Sequence, residues 1–218
     1  MSSSRRRFLA AGVTGSIAAL AGCLDFITGD GPLEFSSDRV APTDSALEET
    51  GFEELTVEER TFEETVEAGV EREIEAGFWL SSYAKALDIR GQSQEATAFV
   101  AVSTPNMSVA GRSLNPIDGM DSEELLDEFR GQIENGETDI RDIQHEETFS
   151  VSILGESRDV DRLQGQTEYQ GEAIDVDLLV ASFGHEGDYL VLVGMYPELF
   201  QDEGANVEVL LESVEHPV

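Results

Sequence analysis

The run Tyr189-Leu190-Val191-Leu192-Val193-Gly194-Met195-Tyr196 decides how this chain folds. Successive residues of a strand point to opposite faces of a sheet, so a half-buried strand alternates apolar and polar side chains. Here both faces of the strand are apolar, so both must be covered. Ala96 to Val102 has the same character. A sheet with two such strands needs a layer on each side.

The flanking sequence predicts the remaining elements. Thr148–Leu154, Asp161–Tyr169 and Ala173–Phe183 read as strands leading into Tyr189–Tyr196, with turns at Gly155, Gln170-Gly171 and Glu186-Gly187. Upstream, Leu33 to Val40 predicts a first strand. Val57–Glu67 and Val70–Tyr83 predict a long hairpin turning at Ala68-Gly69. Ser45 with Glu48 makes a capping-box pattern for a short helix that stops at Gly51. After a loop from Thr104 to Gly119, Asp121 opens a helix carrying Leu125, Leu126, Phe129 and Ile133, closing near Asn135-Gly136. Val207, Leu210, Leu211 and Val214 follow helical spacing near the end. The expectation is a single α+β domain over residues 33–218, a mainly antiparallel sheet with helices on both faces.

Residues 1–22 read as an address. Arg5-Arg6-Arg7-Phe8-Leu9 resembles a twin-arginine export motif, and Leu20-Ala21-Gly22-Cys23 resembles a lipobox. The apolar stretch Ala10 to Ala21 is 12 residues, short of the roughly 20 that a spanning helix needs. The resemblance implies cleavage before Cys23, the only cysteine, and a lipid on its thiol, which anchors without spanning. Residues 23–32 then form a tether of 10 steps to Leu33, reaching at most about 35 Å. The expected location is the extracellular face of the cell membrane.

Acidic residues number 46 against 13 basic ones, a formal net charge of −33. Residues 1–22 carry Arg5, Arg6 and Arg7 and no carboxylate, so their removal moves −33 to −36. Nucleic-acid binding is excluded by this balance, because phosphate contacts need clustered Lys and Arg. Lys85 is the only lysine, and the carboxylates are spread along the chain. This is the surface expected of a halophile, whose self-repulsion is screened in molar salt.

Ala98–Val102, Asp121–Phe129, Gln166-Thr167-Glu168-Tyr169, Asp188–Leu192 and Leu210–Val214, in this order, resemble the PsbP-like α/β/α sandwich over about the last two-thirds of the chain. With the N-terminal motifs, the whole is similar to haloarchaeal lipoproteins catalogued as domain of unknown function 6517. The resemblance implies a binding or assembly role and brings no catalytic set with it.

No P-loop, H-E-x-x-H, G-x-S-x-G or G-x-G-x-x-G occurs. No catalytic residue, cofactor or metal site is therefore assigned, and the chain is read as a non-enzyme. His185, in Gly184-His185-Glu186-Gly187-Asp188, offers imidazole and carboxylates, but one turn rarely supplies a full ligand set. The alternative function is a cell-surface hydrolase or metal-dependent enzyme using His185 with Asp175 or Asp177. Trp79 and Tyr83 share one side of their strand; uncovered, they form a partner-binding patch, and covered, they are core. Asn106-Met107-Ser108 is a glycosylation sequon. The expected partners are the membrane, through a lipid on Cys23, and a protein at the cell surface.

Overall fold

A computed structural model describes residues 32–67, 71–89, 92–109, 112–113, 115, 117, 119–126, 140–169 and 172–218. The strands are β1 (Leu33–Ser36), β2 (Ala41–Pro42), β3 (Glu53–Glu67), β4 (Glu71–Ile89), β5 (Gln92–Pro105), β6 (Ser108–Val109) and β7 (Arg112–Ser113). They continue as β8 (Arg141–Ile153), β9 (Glu156–Tyr169), β10 (Glu172–His185), β11 (Asp188–Pro197) and β12 (Val214–Glu215). Among the described residues, helices α1 (Asp44–Thr50) and α2 (Asp202–Ser213) and a helical segment at 122–126 accompany them, and Phe129, Ile133 and Asn135-Gly136 lie outside the described residues.

Eight strands form one mixed sheet in the order β1-β4-β5-β11-β10-β9-β8, with β3 also paired to β4. All pairings in it are antiparallel except that of β1 with β4. The doubly apolar strands β5 and β11 are neighbours, pairing Val102 with Val191 and Val100 with Val193. One face carries Phe99, Ala101, Leu179, Leu190 and Leu192, packed under Ala46 of α1 and Val207, Leu210 and Leu211 of α2. Leu210 and Leu211 are fully buried, which stabilises the fold by about 1.5–3 kcal/mol for each. The other face carries Val100, Val102, Leu178, Val180 and Val191, covered by Ile117, Leu125, Leu126 and Ile140.

This overturns the expected α+β sandwich with helices on both faces. The protein is mainly β, and α1 and α2 pack against the same face. The strands outrun their apolar centres: β3 has 15 residues and β4 has 19. Polar stretches such as Arg141–Glu147 and Gln92–Glu95, outside the predicted strands, belong to the sheet. Backbone pairing does not require an apolar side chain, so the pattern reveals only the covered part of each strand. Helix α1 is capped by Thr43, whose Oγ1 accepts from the Ala46 N–H, rather than by Ser45. Its stop at Gly51, with φ 78°, is as read.

Helix α2 and β11 approach closely at Gly194, where an added Cβ would stand 2.1 Å from Val207 Cγ1. Lys85 Nζ donates to both carboxylate oxygens of Glu203 at 2.7 and 2.8 Å, holding the first turn of α2 against β4. The Lys85 side chain is 19% exposed and that of Glu203 is 9% exposed. The helical turn is fastened differently: Ser122 Oγ donates to Asp161 Oδ2 at 2.6 Å, and Thr148 Oγ1 donates to Asp161 Oδ1 at 2.6 Å. Burial acts to raise the Asp161 pKa, but hydrogen bonds from Ser122, Thr148 and His145 outweigh it and hold it below the usual carboxylate value.

Two outcomes follow. Lys85→Met leaves the buried Glu203 carboxylate without its cation, with only the Asn206 Nδ2 donor at 3.0 Å, and we expect a loss of about 3 kcal/mol in denaturant unfolding; adding Glu203→Leu recovers most of it. A lowered Asp161 pKa contributes stability that is present above the unfolded-state pKa, about 3.9, and lost as pH falls through the folded-state value. Asp161→Asn should therefore lower Tm at neutral pH, with the gap to wild type closing below about pH 4.

Candidate functional site

The β10–β11 hairpin closes on Glu186 and Gly187, with φ of 49° and 100°, the signature of a type I′ turn. His185 and Asp188 form the last pair below that turn. The Asp188 carboxylate is buried, and its Oδ2 accepts the Asp38 N–H at 2.8 Å. His216 Nε2 lies 3.0 Å from the same oxygen, and Ser103 Oγ reaches it at 3.5 Å. Burial pushes the Asp188 carboxyl up, opposed by the Asp38 N–H and by His216.

His216 comes from the C-terminal tail. After α2, β12 pairs with β2, matching Val214 with Pro42 and Glu215 with Ala41. The Val218 N–H then donates to Arg39 O at 3.1 Å. Held at both ends, the tail places the His216 ring edge-on to that of His185, with centroids 5.3 Å apart and Nδ1 atoms 3.1 Å apart. The His216 side chain is only 1% exposed. Arg39 also donates from Nε to Ser81 Oγ at 3.1 Å and from Nη2 to Tyr83 Oη at 3.1 Å, and pairs with Glu54. Asp38, Ser103, His185, Asp188 and His216 are thus joined by one polar network, beside the Val218–Arg39 bond.

The residues singled out in the sequence distribute as follows. Tyr83 is 1% exposed and stacks at a tilt on Phe99, so it is core and not part of a binding patch. Trp79 is half-buried and pairs in register with Ser103, beside the Asp188 network. Asn106 is exposed, and its N–H donates to Gly187 O at 2.9 Å, so the sequon abuts the same turn. Asp175 accepts from Gln166, and Asp177 is half-buried opposite Tyr196. His185 lies at the far end of β10 from both, eight residues from Asp177, about 27 Å along the strand. The structure therefore does not bring them together. Arg5, Arg6 and Cys23 lie outside the described residues. No described helix is long and apolar enough to cross a membrane.

Sequence reasoning missed His216 because it stands 31 residues from His185. No motif spacing links the two; only the docking of the tail does.

No curated protein matches this chain. Among solved structures it is similar to LpqN of Mycobacterium tuberculosis, described as involved in cell envelope biogenesis, with 9% identity and a TM-score of 0.30. The alignment covers 77% of this chain and 92% of that one, and a likeness this weak carries no argument. The family model for a domain of unknown function, DUF6517, matches residues 39–215, and the chain belongs to that family.

Proposed function

We propose that this protein is a lipid-anchored extracytoplasmic module of a halophile, which binds or helps assemble a partner at the cell surface and catalyses no reaction itself. The observation that carries the reading is the pairing of Arg5-Arg6-Arg7-Phe8-Leu9 with Leu20-Ala21-Gly22-Cys23, ten residue steps before Leu33. Leu33 opens β1, so the lipid would hold the folded part within a short tether of the membrane. The halophile reading is supported by the placement of charge. Edge strand β3 presents Glu53, Glu54, Glu58, Glu59 and Glu63 to solvent, and the sole lysine is engaged in an internal ion pair. Partial exposure of Trp79 supports a contact surface on β4, and exposure of Asn106 supports glycosylation in an exported protein.

Membrane fractionation and mass spectrometry of the native product test the anchor. The expected product begins at a lipid-modified residue 23 and sediments with membranes, while Cys23→Ser is released. An unmodified thiol or a retained leader would contradict the reading. Cross-linking at the cell surface should yield a partner that Trp79→Ala loses; recovery of the protein alone counts against the binding role. Thermal unfolding should show Tm rising from dilute buffer to molar NaCl as the Debye length shrinks to about 3 Å, and a salt-independent Tm would remove the halophile reading.

A further inference from the structure

The β10–β11 turn and the C-terminal tail assemble a donor set that neither segment holds alone. The Nδ1 atoms of His185 and His216 face each other at 3.1 Å. With Glu186 the two histidines form a trio in which one ligand atom of each residue lies within 4.8 Å of those of the others. Two imidazole nitrogens on one tetrahedral zinc, each bound at about 2.0–2.1 Å, stand roughly 3.3 Å apart. The observed spacing is close to that of a shared cation.

The hydrogen bonds around His216 settle which nitrogen is available. The Asp188 oxygen facing Nε2 already accepts the Asp38 N–H, and an ionised carboxylate can only accept. Nε2 is therefore the donor toward Asp188, and Nδ1 is the ring nitrogen that faces His185. A carboxylate that orients a histidine in this way is the usual outer support of a metal ligand. The His216 ring is locked by burial, whereas His185 is half-exposed and Glu186 exposed, which leaves a path for an ion to enter.

We propose that His185, Glu186 and His216 form a binding site for a divalent cation of the zinc class, with Asp188 orienting His216. Two imidazoles and one carboxylate favour zinc and its first-row neighbours over magnesium and calcium, which prefer oxygen shells. Three protein ligands leave a fourth position for water. The bound ion ties the C-terminal tail to the β10–β11 turn. This inference goes beyond the anchored-module reading and does not rest on it.

The test uses the full chain in molar NaCl, stripped with a chelator and titrated with Zn2+ in a large excess of Mg2+, which occupies the weak carboxylate sites of the surface. The expected result is one Zn2+ per chain and, with Co2+ substituted, the visible spectrum of tetrahedral coordination. His185→Ala should weaken binding by about 100-fold or more, and Glu186→Gln by about tenfold. His185 is half-buried at the turn and Glu186 is exposed, so these variants should remain folded, as the far-ultraviolet dichroism will report. Asp175→Asn and Cys23→Ser should bind as wild type does. Absence of stoichiometric Zn2+ under excess Mg2+, unchanged affinity in His185→Ala, or loss of the metal in Cys23→Ser would each overturn the proposal.

Discussion

Strands β5 and β11 sit side by side in the sheet with apolar side chains on both faces, and that constraint organises the molecule. Neither face of the pair can meet water without losing a large part of the apolar burial that stabilises the fold. One face is closed by α1 and α2, the other by Ile117, Leu125, Leu126 and Ile140. The close approach at Gly194, under Val207, fixes how closely the middle of α2 lies on β11. Beyond α2 the chain pairs with β2 through Val214 and Glu215 and sets His216 against Asp188. The position of His216 against Asp188 and His185 is therefore a consequence of how the sheet is covered.

Much of this was legible in the sequence because burial leaves a periodic mark. The doubly apolar runs located β5 and β11, and Val207, Leu210 and Leu211 located α2. Gly155 and Glu186-Gly187 marked turns that the structure builds with positive φ. What was not legible has a common cause. Strand ends rich in Glu, Gln and Arg pair through their backbones and leave no apolar pattern, so β3, β4 and β8 read too short and the helices too prominent. The same holds for the site: His185 stood out for its turn, but its partner is brought to it by tertiary docking alone.

Charge shows a similar division. With 46 acidic residues, no single carboxylate is conspicuous in the sequence. The structure separates a few by their donors: Glu203 with Lys85, Asp161 with Ser122 and Thr148, and Asp188 with the Asp38 N–H and His216. Each joins segments distant in sequence and is at least half-buried, where a hydrogen-bonded carboxylate contributes more than it would in water. Many of the others, such as those along β3, face solvent, where they hydrate the surface and are screened by salt.

The segment from β12 to Val218 is a docked part of the sheet's cover. Amide hydrogen exchange of the full chain in molar salt measures this directly. The Val218 amide, bonded to Arg39 O, and those of β12 should be protected together with those of β11. Exchange of the tail at the rate of a free chain, while β11 stays protected, would contradict it.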